Sequence, residues 1–136
     1  MARYSTNRAG IQGPSMFKKT LYVQIRENRV HVRNIDDART VERRASPGFS
    51  HPRMLIGDFT AAQACLKHAL AEARGAGFAW TTAVVIHPLE NIEGGLSQVE
   101  ERVFRELAVG AGASKVVVWV GAGLGDAEVI ARLKGR

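Results

Sequence analysis

Residues 98–119, QVEERVFRELAVGAGASKVVVW, read as a helix, a glycine-marked break and a buried strand. Ser97 and Glu100 form a capping-box pair ahead of Val99, Val103, Leu107 and Ala108, whose spacing puts them on one helix face, and Gly110 and Gly112 close the helix. The run KVVVWV that follows is almost wholly apolar, as a strand covered on both faces is. A helix leading into such a strand is a unit of α/β layer architecture.

Working toward the N-terminus, WTTAVVIHP supplies another apolar strand around Ala83 to Ile86. Ahead of it, Asp58 announces a helix whose Phe59, Ala62, Leu66, Ala69, Leu70 and Ala73 recur at spacings of three and four, with Gly75 and Gly77 as its end. Further back the period becomes two. Leu21, Val23 and Ile25 alternate with Tyr22, Gln24 and Arg26, and Val30, Val32 and Asn34 alternate with His31 and Arg33, which predicts a hairpin joined at ENR. Asp36 and Asp37 turn the chain into a third strand near Arg39 to Arg44, and SPGFSHP breaks it. Beyond Trp119, GAGLG reads as a flexible exit turn before a short helix capped by Asp126. The expected order is βββαβαβ with a short C-terminal helix.

A chain of 136 residues fits one domain, and an enzyme folding two domains around a cleft is normally longer. Residues 1–15 lack periodicity and are expected to be a disordered tail, leaving residues 16–136, opened by Met16, as the folded unit. No apolar run approaches the roughly 20 residues that span a bilayer. With no secretory signal core and with Cys65 as the single cysteine, the expected home is the reducing cytoplasm.

The net charge is +6, and the basic residues crowd the first part of the chain, Arg26, Arg29 and Arg33 among them on alternating strand positions. Such a half suits nucleic acid, an anionic membrane surface or an acidic protein, and equally a solvated strand face.

Two segments carry a resemblance. MLIGDFTAAQACLKHAL, with Asp58 and Phe59, is similar to the segment leading into the first helix of subdomain IA in the MreB family of bacterial actins. VVIHPLENIEGGLSQVEERVFRELAVGAGASKVVVWVGAGL resembles that family's next strand, proline-ended loop, Val-Glu-Arg helix and Ala-Gly-Ala turn. With a weaker match at MFKKTLYVQI, the resemblance runs from Met16 to Leu124 and implies a ribonuclease-H-like fold, half of an actin core. The family's first hairpin carries Asp-Leu-Gly-Thr at the phosphates, where this chain has Gln24, Ile25, Arg26 and Glu27. Gln24 supplies no charge, Glu27 repels an anion, and a close backbone approach to phosphate calls for glycine. Subdomain IB and the second domain have no counterpart. Glu100 matches the glutamate that the family uses to place the attacking water, but without a phosphate cradle it reads as a cap.

Other sites are weaker. GAGLG follows a strand as a dinucleotide loop does, yet no second βα unit follows. Cys65 and His68 lie one helical turn apart, and His31, His51 and His87 lack ligand spacing, so no metal is expected. A ribonuclease-H-type nuclease needs converging carboxylates, and Gln24 holds the key place. Trp80 and Trp119 read as packing residues.

The resemblance therefore implies a non-catalytic MreB-like domain without cofactor, acting through protein contacts with itself or an actin-like partner in the cell-shape or cytoskeletal system. Val116, Val118, Trp119 and Val120 are its interaction candidates, on a strand whose outer neighbour is missing. Arg26, Arg29 and Arg33 are the candidates for a basic nucleic-acid-binding module, expected to bind weakly and without sequence preference. A partial nucleotide binder completed by a partner chain is the third reading.

Overall fold

The computed structural model describes residues 18–75 and 81–135. The tail expected over residues 1–15, together with Met16, Gly77 and Trp80, lies outside them. The chain runs β1 (Lys18–Arg26), β2 (Arg29–Asn34), β3 (Arg39–Arg44), α1 (Phe59–Arg74), β4 (Thr81–Pro88), α2 (Gln98–Gly110), β5 (Lys115–Val118) and α3 (Asp126–Lys134). This is the expected element order, in a mixed α/β architecture.

One sheet holds the strands in the order β3-β2-β1-β4-β5. β2 is antiparallel to both β1 and β3, and β4 is parallel to β1 and β5. Alternation along the strands sorts their side chains onto two faces. Leu21, Val23, Ile25, Val30, Val32, Val41, Val84, Ile86 and Val116 point to the face packed by α1 and α2. Tyr22, Ala83, Val85 and Val117 point to the other, where α3 contributes Val129 and Leu133.

α1 buries Ala62, Cys65, Leu66, Ala69, Leu70 and Ala73, and its N-cap Asp58 accepts the Ala61 N–H. Phe59, expected on that face, is 38% exposed because it opens the helix beside its cap. In α2 the buried stripe is Phe104, Leu107 and Ala108, while Val99 is 74% exposed. The sequence reading had set that stripe through Val99 and Val103. The bulk of Phe104 turns the helix so that Val103 lies at the margin and Val99 outside it. The N-cap of α3 is Gly125, whose N–H donates to Glu128 (2.8 Å). Asp126, expected to cap, instead takes Arg33 on β2 in a two-point ion pair.

Asn34 ties the sheet to α1. Fully buried at the end of β2, it donates through Nδ2 to the Ala73 carbonyl (2.9 Å) and accepts the Asp37 N–H through Oδ1 (3.0 Å). It thus closes both the β2–β3 turn and the last turn of the helix. Asn34→Ala leaves a buried carbonyl and a turn amide without partners, so a loss of about 2–3 kcal/mol is expected. Urea denaturation of the two proteins, compared at equal m-value, measures it.

Candidate functional site

Among the described residues, α3 covers its face of the sheet only in part and leaves the β1–β2–β3 side open. Pairing lines up its residues in rows across the strands. Arg26 lies opposite Arg29 and Arg29 opposite Arg44; Gln24 opposite His31 and His31 opposite Glu42; Tyr22 opposite Arg33 and Arg33 opposite Thr40. Gln24, Arg26, Arg29, His31 and Glu42 line a cavity of about 240 Å³ on this face. Three arginines side by side on neighbouring strands repel one another, a cost that each directly opposed like-charge pair adds to the sheet.

Neutralisation of the arginines is uneven. Arg33 binds Asp126 at 2.9 and 3.1 Å, and this hydrogen-bonded pair raises the arginine's pKa and holds the Asp126 carboxyl below its ordinary value. Arg29 reaches Glu42 only at 3.4 Å. Among the described residues, Arg26 and Arg44 have no carboxylate within ion-pair distance. His31 lines the same cavity, and its Nδ1 atom is buried away from solvent without a hydrogen-bond partner.

Beside the open area lies a closed polar network. His87 on β4 donates from Nε2 to the Gly121 carbonyl (2.9 Å), since that carbonyl can only accept. Its Nδ1 therefore accepts, and the Tyr22 hydroxyl is the donor at 2.7 Å. The same hydroxyl oxygen accepts the Leu124 N–H (3.2 Å) and Gln24 Nε2 (3.3 Å). Both histidine nitrogens are thus in use. Burial, with a smaller push from the Arg26 charge, lowers the His87 pKa against the opposing pull of the Gly121 carbonyl.

This network corrects the reading of GAGLG as a flexible turn. Besides the bonds from His87 and Tyr22, the Ala122 carbonyl accepts Trp119 Nε1 at 2.9 Å. Gly121 has φ 144°, and a Cβ there meets the Trp119 ring at 2.9 Å, so the loop needs a glycine at this point.

The β1–β2 hairpin tip, where the resemblance puts phosphate, is filled from within. The Glu27 N–H donates to the Glu90 carboxylate, and the Asn28 N–H to Ser50 Oγ (3.1 Å). Asn28, at φ 56°, also accepts the N–H groups of Phe49 (2.7 Å) and Ser50 (2.8 Å) through Oδ1. The open cleft beside the tip is lined by Glu27, Glu90 and Glu93. The backbone amides at the tip are already bonded and three carboxylate residues line the cleft, while the Asn91 Nδ2 is buried there without a partner.

The remaining candidates are dispersed. The Glu100 carboxylate accepts the Ser97 N–H (2.8 Å) and its own N–H binds Ser97 Oγ (3.1 Å), completing the capping box. Val116 and Val118 pack toward α1 and α2, Trp119 packs toward α3 under the Arg132 guanidinium (4.0 Å), and Val120 is 36% exposed. Cys65 Sγ contacts the Arg43 carbonyl (3.8 Å), and burial pushes its pKa up. Among the described residues no cluster of His, Cys, Asp and Glu could hold a metal ion, and no helix is long and apolar enough to cross a membrane. Sequence reasoning named His87 only as a residue without ligand spacing. Its partner Tyr22 lies 65 positions away, and the β1–β4 register alone brings them together.

Among the described residues, the fold and this face define a small mixed α/β domain with a five-stranded sheet, three helices and a basic, partly uncovered sheet surface. No protein-family profile matches the chain. Over 124 residues it is 36% identical to the Escherichia coli (strain K12) protein called "Uncharacterized protein YjaA", an alignment covering 84% of this chain and 96% of that protein. The chain belongs to the YjaA family.

Two outcomes test the network. Tyr22→Phe strands His87 Nδ1 and the Leu124 N–H, so a loss of about 1–3 kcal/mol is expected in chemical denaturation. The second concerns pH. With its folded pKa below the 6.5 of an exposed histidine, His87 takes up a proton in the unfolded chain first. Stability therefore falls as pH drops below about 6.5, until the folded-state pKa is passed. His87→Gln has no such titration, and the difference between the two stability–pH curves should show that slope.

Proposed function

We propose that the chain is a non-catalytic, MreB-like domain that works through protein contacts, with itself or with an actin-like partner. The observation that carries this reading is the hairpin tip. At the position where an actin-type site cradles phosphate, the Glu27 and Asn28 amides are already bonded to Glu90 and Ser50, and Glu93 adds a third carboxylate to the adjoining cleft. Phosphate brought there meets negative charge and finds the Glu27 and Asn28 backbone amides already bonded, so neither binding nor hydrolysis of a nucleotide is supported. The strand order, with β2 alone reversed, is the one expected of a ribonuclease-H-like half and supports the same frame. The engagement of Glu100 in its cap fits the loss of a catalytic role.

The contact surface this reading favours lies on α2 and the preceding loops. Met54, 54% exposed, lines an apolar groove with Leu55, Ile92, Leu96, Val103 and Phe104, and Val99, 74% exposed, stands on α2 one helical turn before Val103. In an actin core this half meets other polypeptide, and an apolar groove with an exposed rim fits that use better than solvent.

Thermal unfolding with increasing Mg-ATP should show no rise in Tm, because a ligand of the native state would stabilise it by mass action. The chain should also sediment with polymerised bacterial actin or associate with itself as concentration rises, and a Met54→Glu/Val99→Glu variant should lose that association. A dose-dependent rise in Tm would overturn the loss of the nucleotide site. A chain that stays monomeric and does not co-sediment would overturn the contact reading.

A further inference from the structure

The arginine row on the open sheet face is independent of the hairpin tip and of the α2 groove. Its oddity is energetic. Arg26, Arg29 and Arg44 are direct cross-strand neighbours, and a sheet gains nothing by opposing like charges. A solvated face usually interleaves signs. Here the nearest carboxylate, Glu42, sits one row away, and its single contact with Arg29 is long at 3.4 Å. The cavity next to the row adds neutral donors to the cationic ones. The Gln24 amide side chain and the His31 ring are among its lining groups. Guanidinium groups, an imidazole and an amide converging on a cavity of about 240 Å³ are the donor set that a compact oxyanion takes.

We propose that the cavity between Arg26, Arg29, His31 and Gln24 binds a phosphate monoester of a small molecule, the terminal phosphate lying between the two guanidinium groups and accepting from the His31 ring. A doubly charged phosphate offsets the repulsion between Arg26 and Arg29, which a singly charged phosphodiester does less well. Arg44, at the end of the row, adds long-range attraction.

The same features argue against a nucleic-acid strand. The Glu42 carboxylate lies on the cavity wall at the β3 edge of the open face, where an extended polyanion running off that edge would meet it. Among the described residues the face also lacks a stacking platform. Tyr22 is 5% exposed beneath α3 and its loop, and no Phe or Trp stands on the β1, β2 or β3 positions of this side. Single-stranded nucleic acid is held by such rings together with charge.

The test uses the full chain, in low salt, with inorganic phosphate, a sugar phosphate and a thymidine oligonucleotide as separate probes. Binding is followed through the side-chain nitrogen resonances of His31 and the arginines, and through Tm. The sugar phosphate should shift the His31, Arg26 and Arg29 signals saturably. Arg26→Gln/Arg29→Gln should weaken its Kd by at least about tenfold, while Arg102→Gln on the far side of α2 leaves it unchanged. Inorganic phosphate should bind the same residues, and more weakly if the ester's organic part makes contacts of its own. Because the double variant removes opposed like charges, its unligated Tm should equal or exceed that of the parent, so lost binding is not lost folding. The proposal is overturned if no saturable shift appears, if the double variant binds as well as the parent, or if its unligated Tm falls. Tighter binding of the oligonucleotide than of the sugar phosphate to these residues overturns it in favour of a nucleic-acid surface.

Discussion

The register of β1 against β4 is the constraint on which the rest of the molecule depends. The two strands pair in parallel from Lys18 opposite Thr81 to Ile25 opposite Pro88, joining the hairpin half of the chain to the half built from alternating helices and strands. Because side chains alternate, this register sends Leu21, Val23 and Ile25 to the helices and Tyr22, Gln24 and Arg26 to the opposite face. A slip of one residue would put an amide and a guanidinium among the α1 and α2 side chains and send three aliphatic groups outward. The same register sets Gln24 beside His87 and lets the Tyr22 hydroxyl reach Nδ1, so the polar network and the core report a single alignment. His87 then fastens the Gly121 carbonyl, and the fastened loop delivers α3 to the sheet.

Two ways of treating polar groups follow from this frame. At the hairpin tip the Glu27 and Asn28 amides, and on β4 both His87 ring nitrogens, have internal partners, which rigidifies those regions and leaves these groups nothing to offer a ligand. On the open face the arginines point outward without enough carboxylates to match them. Ligand chemistry in a small domain requires such unspent donors, so the face with imperfect charge pairing carries more potential for binding than the hairpin that a family resemblance would single out. The opposed arginines cost stability in the free protein, and the tightly closed networks nearby offset that cost.

Much of the fold is legible in the sequence because it rests on local signals. The Ser97–Glu100 capping box, the period of Ala62, Leu66, Ala69, Leu70 and Ala73, and the turn residues before Arg39 each depend on neighbours a few positions away. What escapes is decided at a distance. Val99 is apolar and at plausible spacing, yet the stripe of α2 is set by how Phe104 meets the core. Asp126 has the chemistry of an N-cap, yet Arg33 on a strand 93 residues away captures it. The basic strand face is visible as alternating arginines, but the alignment of Arg26, Arg29 and Arg44 requires both hairpin registers at once, and neither turn length can be read with that accuracy. The acidic filling of the hairpin tip is equally hidden, since Glu90 comes from the loop after β4.

The edges of the sheet decide how this domain can meet other chains. Reading the sequence alone, Val116 to Val120 is an apolar strand open to pairing. In the fold its two sides are covered, Val116 by α1 and α2 and Val117 by α3, and only the backbone edge is left. Arg105 on α2 reaches across to donate to the Val116 carbonyl at 2.9 Å, and Lys115 spends its ammonium on the Leu133 carbonyl at 2.6 Å, so this edge is partly occupied. At the other edge β3 exposes Arg39, Glu42, Arg43 and Arg44, charges that discourage an added strand. Strand addition is thus disfavoured at both ends, which leaves side-chain surfaces for association: the apolar groove lined by Met54 and Leu55, proposed for polypeptide, and the arginine-lined cavity, proposed for an anion. The two surfaces lie on opposite faces of the sheet, so occupying one does not block the other.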